Sequence, residues 1–327
     1  MKLRARIKRA LGRALVGVLP GEVLSSYRGP VIASGVVSLD AGITNAGLVV
    51  SDGQLVSIFK NSSYHFCEEL GQQACAAHSH PNRPVQVVLY RAALDSSYEP
   101  TEIGLLSITL DGSAVDVQSS VFADARLLEF RTAILVFVSH KGNTNSSWIY
   151  FGALSGRKLD LKKISYDSAV PPQKNWVPFI CDDRVFLEYS LAPHTVLELD
   201  VDSGRAVESA STHWEVPTRE SLFLRGGAPA MKLKTGLYLG IGHSTSKRKP
   251  PDYRTFFYVF EGKPPFRVLR ATRPLKLLTR SHRIQFVCGA ILDEPGDELV
   301  LSYGVCDCDN FISRFRLSQV LGRMKDV

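Results

Sequence analysis

The sequence predicts an all-β fold, a five-bladed β-propeller preceded by a short basic N-terminal helix or tail. Three observations carry this. Short apolar runs separated by turn residues recur throughout, whereas amphipathic periods of helix length are scarce between residues 30 and 315. One pattern, strand, tight turn, strand, returns at 45–60, 121–140, 176–189, 226–243 and 286–303. A chain of 327 residues that is 45% hydrophobic can also bury the core of one large closed domain. Five sets of about four strands fit a propeller, and a pair of β-sandwiches is the alternative. The expected division is a basic segment and linker over 1–30 and the propeller over 31–327.

Residues Lys2, Arg4, Arg6, Lys8, Arg9 and Arg13 precede the first acid, Glu22, and alternate with Leu3, Ile7, Leu11, Leu15 and Val18. This reads as a basic amphipathic helix, able through residues 1–15 to make peripheral contact with a membrane. A solvated terminus and an Arg-rich, acid-poor transit segment are the other readings. In the first repeat, Asp52-Gly53 between apolar runs supplies a hairpin turn, with Asn45 and Lys60 at the hairpin's two ends. A polar loop over 65–84 carries His65, His78, His80, Cys67 and Cys75, read as surface loop rather than metal site. Strands follow at 86–92 and 103–110, then in the stretch 121–140 and at 148–153. The third repeat opens at Gln173-Lys174-Asn175-Trp176 and turns at Asp202-Ser203-Gly204. The fourth runs from Arg225-Gly226-Gly227 through 237–243, a basic loop at 247–249 and 254–260. The fifth has strands at 286–292, 298–303 and 311–317, with Asp307-Cys308-Asp309 between the last two.

Composition narrows the partners. The net charge of +7 suits anions such as phosphate, nucleotide or acidic glycan. Nucleic acid is not expected, because the basic residues are dispersed and no nucleic-acid motif accompanies them. The six cysteines, at 67, 75, 181, 288, 306 and 308, form no CxxC pair and read as reduced thiols; Cys67 and Cys75 can close a small loop in an oxidising compartment. No run of about 18 apolar residues is present to form a membrane-spanning helix. The expected location is cytoplasmic or peripheral to a membrane, and the sequons at Asn61 and Asn145 then read as coincidence. No cofactor is expected. Asp307-Cys308-Asp309 spells Asp-x-Asp but falls in the last predicted blade, so no metal is assigned.

The densest stretch is Val121 to His140, where Asp124 and Arg126 stand at the start of a strand and can point into a central cavity. Phe122-Ala123-Asp124-Ala125-Arg126-Leu127 resembles the Glu-Asp-Pro-Arg strand start of the five-bladed β-propeller mannoside phosphorylases and related β-mannosyltransferases. Gly226-Gly227-Ala228-Pro229-Ala230 with Tyr238 to His243 is similar to their glycine-proline strand ending in Tyr-His-Gly. Phe286-Val287-Cys288-Gly289 with Ser302-Tyr303-Gly304 and Asp307 resembles their last blade, and Thr44-Asn45-Ala46 with Lys60 the first. The motifs span roughly 40–317 in order. Departures are Ala123 for glutamate, Ala125 for proline, Ser244 for glycine and Lys60 for arginine.

The resemblance implies that Asp124 is the general acid of an inverting displacement at a sugar carbon. Arg126, Lys174 and His243 are the expected groups for phosphate or a nucleotide-sugar. Asn45, Lys60, Trp176, Tyr303, Asp307 and Asp309 are expected on the sugar. The partners implied are a sugar phosphate or nucleotide-sugar donor and an oligosaccharide acceptor. Lys174-Asn175-Trp176, Gly226-Gly227 and Ser302-Tyr303-Gly304 lie closer to the transferase branch, so transfer from an activated, mannose-type sugar in glycan synthesis is expected. A phosphorylase of the same fold, or a non-catalytic glycan-binding propeller suggested by Ala123 and Ala125, are the alternatives.

Overall fold

The computed structural model describes residues 17–27, 43–62, 87–115, 120–141, 146–217, 223–245, 252–278, 284–307 and 309–327. Among these the chain is all-β apart from one short helix, Leu317–Leu321. None of its described helices is long and apolar enough to cross a membrane. The basic stretch 1–16, and with it the expected helix and membrane contact, lies outside the described residues. So do the His/Cys loop, the basic loop at 247–249, Asn145 and Cys308.

Antiparallel meanders make up the fold. The first runs Ile43–Ser51, Gln54–Ser62, Val87–Leu94 and Pro100–Leu105. Its opening hairpin turns on Asp52 and Gly53 at φ 49° and 72°, the left-handed pair a two-residue turn demands. The second runs Val121–Phe130, Ala133–Lys141, Ser147–Ser155 and Lys158–Lys163. Two parallel pairings join them: Val87 with Val121, and Ser107–Leu110, which follows the first meander, with Lys158–Leu161. The third has Val177–Cys181, Arg184–Leu191, His194–Leu199 and Ala206–Thr212. The fourth has Phe223–Gly226, Tyr238–Thr245, Tyr253–Phe260 and Val268–Ala271.

The fifth meander corrects the expected boundary at residue 30. Its strands Gln285–Asp293, Glu298–Val305 and Asp309–Arg316 are completed by Glu22–Tyr27 from the other end of the chain. Val18–Leu19 also pairs, in parallel, with Lys276–Leu277. The edge of Asp309–Arg316 needs a partner for its backbone groups, and Tyr27, buried with Ile43, Tyr90, Val300 and Ile312, holds that partner in place. The linker reading failed because the partner strand lies at the opposite end of the sequence.

Apolar clusters lie between consecutive meanders. Ile58, Leu89, Phe122 and Val136 join the first to the second. Phe137, Phe151, Leu187 and Leu197 join the second to the third. Phe179, Phe186, Phe256 and Tyr258 join the third to the fourth, and Ile241, Phe257, Leu299 and Leu301 join the fourth to the fifth. The Tyr27 cluster returns from the fifth to the first. Each such side chain stabilises by about 1.5–3 kcal/mol through burial. The first strands of the fifth, first and second meanders approach one another closely. A Cβ on Gly289 would lie 2.5 Å from the Leu48 nitrogen, and one on Gly47 would collide with the Ala125 carbonyl oxygen, so only glycine permits these approaches.

Candidate active site

Three meanders place an Asx residue in the left-handed region at the start of, or just before, their first strand: Asn45 at φ 52°, Asp124 at 59° and, two residues ahead of Val177–Cys181, Asn175 at 65°. Asn and Asp tolerate this conformation better than other residues with a Cβ. At Asn45 and Asp124 the pairing register also breaks, between Thr44 and Gly47 and opposite Phe137 to Ser139. Such bulges re-aim a side chain out of the pleat. Here they bring two neighbouring meanders' side chains together, with Asn45 Nδ2 donating to Asp124 Oδ1 at 2.7 Å.

Lys60 organises the carboxylates. Its ammonium is 2.6 Å from Asp307 Oδ1 and 3.8 Å from Asp124 Oδ1, and the lysine is 3% exposed. Burial drives the Asp124 pKa up, but Lys60, Arg126, the Asn45 hydrogen bond and Lys174 more than reverse it, holding the carboxyl below the usual range. Asp124 is therefore ionised at neutral pH. Lys174, exposed beside Asn175, contributes only through its charge.

Arg126 is close by, but not as an open fork. It is 1% exposed; Nε donates to the Gly227 carbonyl at 2.5 Å, one terminal nitrogen to the Asp124 carbonyl at 3.0 Å and the other to Asn175 Oδ1 at 3.2 Å. Its guanidinium also lies 5.8 Å from the Phe286 ring centre. The expected bidentate grip on phosphate is thus replaced by a tie between four meanders, with its charge acting on Asp124.

His243 differs from expectation as well. Burial first, and the Arg126 charge second, push its pKa down to about 3, so the ring is neutral. Nδ1 faces the Gly226 carbonyl at 3.2 Å and must donate there, which leaves Nε2 with a lone pair. A neutral acceptor suits a hydroxyl, not a phosphate oxygen. The ring stacks on Tyr253 at 5.2 Å and meets Phe286 edge-on at 5.0 Å.

Two expected sugar-stacking residues belong to the core. Trp176, 2% exposed, packs among Leu128, Phe137 and Leu187 and donates Nε1 to Gln173 Oε1 at 3.0 Å. Tyr303, 1% exposed, stacks on Phe311 and shares a hydrogen bond with Ser313 at 3.3 Å. Neither presents a face to a ligand. Asp309 is half-buried and gives its backbone carbonyl to Thr44 Oγ1 at 3.3 Å.

The sequence reading missed Tyr253 and Arg225. Burial raises the Tyr253 pKa, as do the Asp307 and Asp124 carboxylates, with Arg225 and Lys60 opposing, so its phenol feels both acids and both cations. Exposed Arg225 likewise acts on His243. The only available signal was register: Arg225 lies opposite His243 on adjacent strands. Cys288, whose Sγ donates to the Ala125 carbonyl at 3.2 Å, is pushed up to about 12 chiefly by burial and is an inert thiol.

Among the described residues, Lys60, Arg126 and Lys174 thus act on the ionised Asp124, Lys60 also holds Asp307, and Arg225 acts on the neighbouring His243 and Tyr253. No group of metal-ligating side chains occurs among them.

No family model and no curated protein matches the sequence. Solved structures do match in fold. A β-1,2-mannobiose phosphorylase from Listeria innocua, solved with β-1,2-mannobiose, superposes with a TM-score of 0.62 at 13% identity, covering 91% of this chain and 99% of that one. A mannose phosphorylase from Leishmania mexicana, solved with a phosphate ion, gives 0.57 at 12% identity, over 99% of this chain and 96% of the other. A GDP-Man-dependent mannosyltransferase from Leishmania mexicana gives 0.52 at 12% identity, over 96% and 94%. The fold is the one these proteins share, and it agrees with the resemblance read from the short motifs.

Proposed function

We propose that the meanders are the blades of a five-bladed β-propeller, and that the chain is an inverting glycosyltransferase acting on an activated, mannose-type sugar. The neighbours in fold are carbohydrate-active enzymes that handle mannosides, phosphate or GDP-mannose, which supports an enzyme acting on sugars. The observation that carries the finer reading is the ionised state of Asp124. A phosphate or diphosphate leaves a sugar carbon without needing a proton, whereas an acceptor hydroxyl must lose one as it attacks. Asp124 takes that proton. The hydroxyl oxygen forms its bond to the anomeric carbon from one face as the carbon–oxygen bond to phosphate breaks on the other, inverting the centre. The departing anion keeps the electron pair and meets the positive field of Lys174 and Arg225. Asn45 fixes the carboxylate, and Asp307 is held by the same Lys60 that lies beside Asp124, where it can accept a hydrogen bond from a sugar hydroxyl.

The phosphorylase reading uses the same residues in reverse, with free phosphate attacking and Asp124 protonating the leaving sugar oxygen. The neighbour solved with a phosphate ion favours it. Supplying GDP-mannose, or mannose 1-phosphate, with mannose acceptors and reading product mass separates the two. Asp124→Asn keeps the side chain's shape and removes the base, and kcat should fall about 10²–10⁴-fold. Turnover of neither donor, with saccharide still bound, would leave a non-catalytic glycan-binding propeller.

A further inference from the structure

Nε2 of His243 and the hydroxyl of Tyr253 carry no hydrogen bond among the described residues, although both side chains feel the Asp124 carboxylate. Cross-strand register brings the two together. His243 lies opposite Thr255 and Tyr253 opposite Thr245, so they are diagonal neighbours on one face of adjacent strands, about 7–8 Å apart and within reach of aromatic rings. The rings stack nearly parallel, with centres 5.2 Å apart and planes at 14°. Arg225 acts on both, and Tyr253 also feels Asp307 and Lys60.

Each ring is held in place. His243 is 3% exposed, its Nδ1 proton goes to the Gly226 carbonyl, and Phe286 meets the ring edge-on. The Tyr253 carbonyl accepts from Lys276 Nζ at 2.6 Å; Lys276, also 3% exposed, is 2.7 Å from Asp252, which Arg254 joins at 3.0 Å. A buried lone pair left without a donor has lost the hydrogen bond that water supplied. A ligand that donates to it recovers that loss.

The chemistry of the pair selects the ligand. A neutral imidazole with its proton on Nδ1 offers only an acceptor at Nε2, which an ionised phosphate oxygen, having no proton to give, does not satisfy. The phenol, kept protonated by burial and by both carboxylates, offers a donor. A hydroxyl is donor and acceptor at once, so one sugar hydroxyl gives its proton to Nε2 and accepts from the phenol. A deoxy carbon does neither.

We propose that His243 and Tyr253 are a hydroxyl-reading pair, specific to one hydroxyl of the sugar bound beside Asp124, and that they set which sugars the site accepts. The inference rests on the sugar-binding part of the reading above, whether transfer or phosphorolysis follows.

Calorimetric titration of mannose, its monodeoxy analogues and inorganic phosphate into the full chain tests it. One analogue should bind about tenfold or more weakly than mannose, because it leaves Nε2 unpaired. His243→Phe keeps a ring and removes the acceptor; mannose should then bind within about twofold of that analogue, with inorganic phosphate within about twofold of wild type. Tyr253→Phe keeps the stack and removes only the hydroxyl, so it reads the pair even where His243→Phe does not fold. It should weaken mannose about fivefold and the same analogue less than twofold. Discrimination unchanged in either variant, or a loss shared equally by mannose and every analogue, overturns the assignment. So does an inorganic phosphate affinity that falls about tenfold in His243→Phe, which would make the ring a phosphate ligand. If an activated sugar is turned over and no hydroxyl is singled out, the pair falls and the proposed function stands. If no sugar is bound or turned over, the sugar reading falls and the pair with it.

Discussion

Lys60 is the residue on which the chemistry of Asp124 turns. It is the largest force opposing the upward push of burial on that carboxyl, and it also holds Asp307 at 2.6 Å. A base must be deprotonated to act, so the rate should fall as pH drops through the Asp124 pKa in the folded enzyme, below the ordinary carboxylate range. Lys60→Met removes the opposing charge, leaves burial in command and raises that pKa. The acid limb of the kcat profile should then move to higher pH, while Lys60→Arg, which keeps the charge, should hold it close to wild type. An acid limb that Lys60→Met does not move would show that another group sets it. His243 does not compete for that limb from the neutral side, since its pKa of about 3 leaves it uncharged there.

Strands, rather than single residues, decide which parts of the site could be read in advance. The hairpins were legible because Asp-Gly turns and short β-branched runs are local signals, and Asn45, Lys60, Asp124 and Asp307, which the structure brings into mutual contact, were named from polar residues at strand ends and from the short family-like motifs. Trp176 and Tyr303 were misplaced because an aromatic close to a strand's end looks the same in sequence whether it lines a hollow or plugs a core. Tyr253 and Arg225 were invisible because their places follow from cross-strand register, Arg225 opposite His243 and Tyr253 opposite Thr245, which no local pattern shows. The same limit hid a buried cluster between the third and fourth meanders, where Glu188 Oε1 is 2.7 Å from both His194 Nε2 and the Tyr258 hydroxyl. His194 Nδ1 donates to the Phe266 carbonyl at 2.8 Å, and both His194 and Glu188 have side chains 0% exposed. His194→Ala would strand a buried carboxyl, and a loss of about 3–5 kcal/mol in denaturant unfolding is expected. A loss below about 1 kcal/mol would mean that the cluster stabilises the contact between the third and fourth meanders little.

Closure of the whole molecule bears on catalysis because the seam runs beside the site. Tyr27, near the front of the chain, pairs with Asn310 near its end. Asn310 is 0% exposed, and its Oδ1 accepts from the Ala46 backbone nitrogen at 3.0 Å, one residue from the Asn45 that grips Asp124. The Tyr27 hydroxyl donates to the Tyr98 carbonyl at 2.5 Å, and its ring fills the core between the fifth and first meanders. Tyr27→Ala removes a buried aromatic and should cost about 3–5 kcal/mol. A core position remote from function would lower the melting temperature alone. Here the strand that Tyr27 anchors also supports Asn310, so kcat should fall at temperatures well below melting, with donor affinity less affected because Arg225 and Lys174 belong to the fourth and third meanders. Tyr27→Phe, which keeps the ring and loses only the hydroxyl, should restore most of both. Melting that drops while kcat at low temperature stays at the wild-type level would separate ring closure from the geometry of Asp124, and would show that the first and fifth meanders hold Asn45 without help from the seam.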